Sequence, residues 1–183
     1  MTNVTPLRGL DDATRKAVER KSGGVFVLDP QKRSELLECL ELRLAIEAEA
    51  AGYAATRATP AQRQRIAECL EDMAAMVDKR RSASAADFAF HMAVADAANN
   101  RYFVKFLMAL GMRAVPRARP EVHALLTEEG ITQERALIDE HERVLGAINS
   151  GKPEVAREAM RGHLIKAIKR YSASHDRGTP NPA

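Results

Sequence analysis

The stretch DFAFHMAVADAANNRYF, residues 87–103, decides how this chain is read. Its apolar residues recur at three- and four-residue spacing, the pattern of an amphipathic helix. Each helical residue advances about 100° around the axis. Asp87 and His91 therefore sit one turn apart, on the face that also carries Phe88, Val94, Ala95 and Ala98. Asn99-Asn100 ends the helix, because Asn tolerates the left-handed backbone that helix ends use. A carboxylate and an imidazole on an apolar face raise a chemical question, since buried polar groups are costly without partners.

Working outward, the same helical pattern fills most of the 183 residues. Hydrophobic residues make up 45% and aromatics only 4%, with no Trp. Abundant Ala and sparse β-branched residues favour helix over strand. Helices are expected at about 31–57, 61–79, 84–98, 101–114, 132–149 and 153–174, with Ser84 as N-cap of the third and Pro153 opening the last. Residues 116–130, with Pro116 and Pro120, read as loop with a short helical piece. Short connections make neighbouring helices antiparallel. The expected fold is all-α, an antiparallel bundle of about six to seven helices with a short irregular or extended N-terminal segment. Arg20–Pro30, RKSGGVFVLDP, supplies that segment. The domain reading is 1–29 as a linker or module remnant, 30–175 as the helical domain and 176–183 as a disordered tail.

Composition narrows the function classes. The 25 acids offset most of the 28 bases, so a net charge of +3 permits nucleic-acid binding without arguing for it. Cys39 and Cys69 lack CxxC spacing and read as free thiols. No apolar run approaches the roughly 20 residues of a membrane span, and no apolar signal core opens the chain. A cytoplasmic location is expected.

Two further helices repeat the anomaly of the first stretch. His141 lies among Leu137, Ile138, Val144, Leu145 and Ile148; His163 shares a face with Ala156, Ala159, Met160 and Ala167, although Lys166 and Arg170 border that stripe. Three of the five histidines thus point inward from three helices, with Asp87 beside one of them. A divalent metal would satisfy all four side chains together, since imidazole suits Zn, Ni, Cu and Fe and a carboxylate adds charge neutralisation. The plain alternative is a set of unrelated histidines hydrogen-bonded in the core. His123 and His175 fall in irregular sequence and read as solvated. Arg43 and Glu47 share the inner stripe of the first helix, either as an internal ion pair or as an arginine poised for an anionic ligand.

Taken together, ELRLAIEAEAAGYAATRAT, DFAFHMAVADAANN and DEHERVLGAINSGKPEVAREAMRGHL resemble, in order and spacing, the C-terminal effector-binding (FCD) domain of FadR-type GntR transcriptional regulators. The resemblance covers about residues 33–172. It implies a metal, Zn or Ni, held by Asp87, His91, His141 and His163, the set reached from helix faces. It implies an effector pocket touched by Arg43 and Asn100. Asn99 stands where the family usually has Gly. It also implies a homodimer whose effector is a small organic acid. Members carry a winged helix-turn-helix before this domain. Here only LDDATRKAVERK and RKSGGVFV, the latter like the closing wing of that module, precede it, so DNA is reached only through a module not evident in this chain.

The reading that follows is a ligand-sensing regulatory domain rather than an enzyme. A metal-dependent hydrolase on a helical scaffold, or a metal-stabilised structural dimer, are the alternatives. Glu140 adjoins His141 but is turned about 100° from it, which leaves the hydrolase without a placed general base.

Overall fold

The computed structural model describes residues 33–110 and 127–176. Over them the fold is all-α, with six helices: α1 (Arg33–Arg57), α2 (Pro60–Asp78), α3 (Ser84–Ala97), α4 (Arg101–Leu110), α5 (Glu128–Asn149) and α6 (Pro153–Asp176). The expected extended segment at 1–29, the segment 111–126 with His123, and the tail from 177 lie outside the described residues. None of the described helices is long and apolar enough to cross a membrane.

Local chemistry explains the helix ends. Thr59 and Gln62 form a reciprocal capping box, and Pro60 occupies the first turn, where a missing N–H costs nothing. Arg63 then reaches back across two helix C-termini. It donates to the carbonyls of Ala55 on α1 (2.9 Å) and Ile148 on α5 (2.6 Å), oxygens with no partner inside their own helices. Asn99 adopts the left-handed conformation expected of it, with φ 51°. Its amide donates to Arg57 O at 2.8 Å. Gly151, at φ 71°, makes the turn between α5 and α6.

Two expected helix starts are corrected. Ser84 is the first residue of α3 rather than its cap; the capping position is Ala83, which offers no side-chain bond. Ser82 Oγ instead meets Ser84 Oγ at 2.9 Å, so the hydroxyl chemistry sits two residues earlier. Helix α5 begins at Glu128, not Thr132, because Thr127 Oγ accepts from Gly130 N at 3.0 Å and caps it. The polar EEG sequence of that first turn hides the helical period.

Helix α1 is the hub: it packs most extensively on α6 and also on α3, α5 and α4. Gly52 permits the α1–α6 approach, since a Cβ there would lie 2.8 Å from Arg157 Cγ. Helices α3 and α5 both rest on α1 and α2. The main core gathers Ile66, Met73, Phe90, Val94, Val144, Ile148, Met160 and Leu164. Burying side chains of this size stabilises by about 1.5–3 kcal/mol each. This packing fixes the backbone from which the inward polar groups project.

Candidate metal centre

Nine polar or charged side chains are buried among the described residues: Arg43, Glu47, Ser84, Asp87, His91, Glu134, Glu140, His141 and His163. Seven of them, all but Ser84 and Glu134, belong to one constellation built from α1, α3, α5 and α6. The polar burial is concentrated rather than scattered, which the alternative of unrelated core histidines does not predict.

At the centre are three imidazoles. His91, His141 and His163 each offer a nitrogen, and these nitrogens all lie within 4.8 Å of one another. His141 Nε2 is 3.4 Å from His91 Nε2 and 3.2 Å from Asp87 Oδ1. The structure therefore brings together the three histidines singled out from the sequence, while Asp87 lies against His141 at the edge of their cluster. The ring of Phe90, fully buried, packs edge-on to His91 and His141 at centroid distances of 5.7 and 4.5 Å. Phe88, assigned to this face from its spacing, is only half-buried.

The outer nitrogens fix how the rings face. His141 Nδ1 lies 2.9 Å from the carbonyl of Leu137. A carbonyl only accepts, so Nδ1 carries the proton and Nε2 presents its lone pair. His163 Nδ1 lies 3.1 Å from Glu140 Oε2, and His91 Nδ1 lies 2.5 Å from Glu47 Oε2. The last contact is close but lacks hydrogen-bond alignment, which leaves both atoms buried without a formal bond.

Both carboxylates are ionised. Burial works to raise the Glu47 carboxyl, but Arg43 and His91 outweigh it and hold it at about 2, down from 4.5. Burial likewise opposes the fall of Glu140, yet hydrogen bonds from His163 and Arg170 take it to about 2. Burial, reinforced by His141, pushes His163 down from 6.5 to about 3 despite the attraction of Glu140. His163 is neutral at physiological pH, as a metal ligand must be.

This donor set fits a divalent ion. With protons on Nδ1, His91 and His141 aim lone pairs at each other across 3.4 Å, an arrangement a cation relieves. Two nitrogens bound at about 2.0–2.1 Å to a tetrahedral ion lie roughly 3.3–3.4 Å apart. Three imidazoles and one carboxylate are ligands that Zn and Ni accept.

The two residues expected at an effector pocket stand differently. Arg43 is buried, and its Nε donates to Glu47 Oε1 at 2.5 Å. Asn100 is exposed beyond α3, where its Oδ1 accepts from Tyr102 N at 3.1 Å and caps α4.

Residues 38–166 match the FCD domain. The chain belongs to the FCD domain family. Among curated proteins, this FCD chain is 32% identical over 133 residues to the HTH-type transcriptional regulator LutR of Bacillus subtilis (strain 168), covering 73% of this chain and 60% of that protein. It is 29% identical over 159 residues to the Glc operon transcriptional activator of Escherichia coli (strain K12), covering 84% of this chain and 61% of that protein. Both relatives are transcriptional regulators, not enzymes, and the chain spans about three-fifths of their length. The E. coli protein McbR/YncC shares the fold, with a TM-score of 0.65 at 18% identity over 79% of this chain and 67% of that one.

Sequence reasoning missed the residues behind the histidines. Glu140, turned from His141 by helix geometry, is buried and faces His163 of the next helix instead. Arg170 donates to both Glu140 oxygens, at 2.8 and 3.2 Å, and Lys166 Nζ lies 3.6 Å from one of them. The signal was present in the basic residues bordering the His163 stripe. They looked like an intrusion on an apolar face, and they are the partners of a buried carboxylate.

Proposed function

We propose that this FCD chain is the ligand-sensing domain of a transcriptional regulator, holding a divalent metal, Zn or Ni, that a small carboxylate effector reaches. The observation that carries the metal is the convergence of His91, His141 and His163 beside Asp87, with outer nitrogens turned to Leu137, Glu140 and Glu47. Asp87, His91, His141 and His163 would hold the ion. When bound, it supplies a Lewis-acid anchor for a carboxylate oxygen.

The chain's own residues do the rest. Leu137 O and the two glutamates hold the imidazoles in one tautomer. Phe90 walls the rings from water on one side. The family resemblance implies Arg43 and Asn100 as effector contacts; of the two, Arg43 stands beside the histidines, where an incoming acid competes with Glu47, whereas Asn100 lies exposed beyond α3. Effector occupancy shifts the population between arrangements of a homodimer. DNA is contacted through a helix-turn-helix module, in the cytoplasm. The regulators it is similar to favour this reading over hydrolysis or a purely structural metal.

Elemental analysis of purified wild type and His141→Ala tests the metal. About one divalent ion per chain in the wild type and a large loss in the variant are expected. Equal content in both, or none in either, removes the reading. Calorimetry of the metal-loaded protein with lactate, malate, citrate and sugar acids tests the effector. An Arg43→Lys variant that keeps metal and fold yet binds the best acid as tightly as wild type assigns Arg43 to Glu47 alone.

A further inference from the structure

Each glutamate beside the histidine cluster is backed by an arginine. Arg43 Nε meets Glu47 Oε1 at 2.5 Å, while Glu47 Oε2 is 2.5 Å from His91 Nδ1. Arg170 forks onto Glu140 through both terminal nitrogens, while Glu140 Oε2 is 3.1 Å from His163 Nδ1. The order arginine, carboxylate, imidazole thus occurs twice, entering from α1 on one side and from α6 on the other.

We propose that Glu47 and Glu140 are positioning residues for His91 and His163, and that Arg43 and Arg170 hold those carboxylates in place, forming two relays that keep the inner nitrogens as acceptors. The proposal rests on the metal reading for its consequence, but the relays themselves are a property of this chain. A carboxylate accepts and never donates when ionised, so an imidazole nitrogen beside it keeps its proton. The opposite nitrogen is then left with its lone pair. Carboxylates placed this way orient metal-bound histidines and raise their basicity, and losing one typically costs 10–100-fold in metal affinity. His141 serves as an internal reference, because a backbone carbonyl holds its Nδ1 and no side-chain substitution removes it.

The geometry also explains why the arginines are needed. Glu47 is 2% exposed and Glu140 is 7% exposed. A carboxylate so far from water rotates to whichever donor is nearest unless a second donor occupies its other oxygen. Arg170 supplies two parallel bonds, which fix the plane of the Glu140 carboxylate as well as its position.

The test uses the whole chain with ¹⁵N-labelled histidine, stripped of metal, followed by competition titration with Co²⁺. In the wild type the resonances of His91, His141 and His163 should all report a proton on Nδ1. Glu140→Gln should move His163 toward the other tautomer and leave His141 unchanged, because a glutamine amide can donate to Nδ1. Its Co²⁺ affinity should fall 10–100-fold. Arg170→Lys should retain more affinity than Arg170→Met. Should Glu47→Gln fail to fold, the Glu140 and Arg170 variants still decide the α6 relay, and a denaturation curve of each metal-free variant separates misfolding from lost orientation. An unchanged His163 tautomer with unchanged Co²⁺ affinity in Glu140→Gln overturns the proposal. A tautomer shift in Glu140→Gln, where the wild type itself binds no Co²⁺, supports the relay and overturns the metal reading instead.

Discussion

Arg43 and Arg170 play the same local part in different surroundings. Arg43 and Glu47 are buried, with side chains only 4% and 2% exposed. On α6, Arg170 is 43% exposed and Lys166 53%, although the Glu140 they share is nearly as buried as Glu47. An ion pair out of water loses heavily when one partner goes, because the survivor is left charged with nothing to replace its neighbour. A pair with one foot in solvent loses little, since water and a second cation can step in. The α1 side therefore behaves as part of the core, and the α6 side as an adjustable support for His163.

The largest expected difference is in stability. Arg43→Met strands Glu47 in the bundle and should cost about 3–5 kcal/mol. Arg170→Met leaves Lys166, 3.6 Å from Glu140, as a remaining cation and should cost less than Arg43→Met. Urea denaturation of the two metal-free variants measures both. Similar losses would mean that the two sides are equally buried in solution and the comparison fails.

Acid should come next and divide the two sides by their salt response. His163 has a folded pKa lowered from 6.5 to about 3. The unfolded chain takes up that proton first, so stability falls as pH drops below 6.5 and the loss is complete near 3. Glu47 and Glu140 have folded pKa values of about 2 against 4.5. Their contribution is whole above 4.5 and disappears as pH falls toward 2. All three effects have the same sign, so the metal-free protein should lose stability on acidification from neutral pH, more steeply below 4.5. Added salt should weaken the part belonging to Glu140, whose cations are exposed, and spare the Glu47 part. Thermal melts across pH at two salt concentrations check this. A melting temperature flat between pH 7 and 5 would remove His163 from the account.

The contrast also explains what the sequence could disclose. Helix faces are written in spacing, so Asp87, His91, His141 and His163 were legible as inward residues of separate helices. Their meeting was legible only as one of two readings, a shared ion or unrelated core histidines, because spacing says nothing of how helices rotate against one another; the family resemblance favoured the first. The Arg43–Glu47 pair was legible as a pair one turn apart on a single helix. The Glu140–His163–Arg170 set was not. Glu140 lies on α5 and its partners on α6, and a residue 100° from the ligand next to it in sequence can face the adjacent helix. The start of α5 was lost for a different reason: its first turn opens on the exposed Glu128 and Glu129 and, with Gly130, carries no apolar side chain. The cap at Thr127 was its only mark.

The smallest expected effect lies at the bundle end away from both relays, and it serves as their control. Asn99 has a left-handed backbone and donates to Arg57 O, while its Oδ1 accepts from Gln62 Nε2 at 3.2 Å. Replacing it by Gly removes the steric cost of a side chain at positive φ, about 1 kcal/mol. The same change removes both hydrogen bonds, which lie at an exposed site and together are worth about 1 kcal/mol net. The two terms have opposite signs, so Asn99→Gly should be close to neutral. Asn99→Ala keeps the steric cost and loses the bonds, and should be destabilised by about 1 kcal/mol relative to wild type. Neither change touches α1, α5 or α6 near the histidines, so Co²⁺ affinity should stay at the wild-type value in both. Denaturation midpoints and the Co²⁺ titration read the two quantities separately. If Asn99→Ala weakened Co²⁺ binding tenfold while shifting stability only slightly, the end of α3 would be coupled to His91 along the helix. Affinity losses in the glutamate variants could then no longer be assigned to the relays alone.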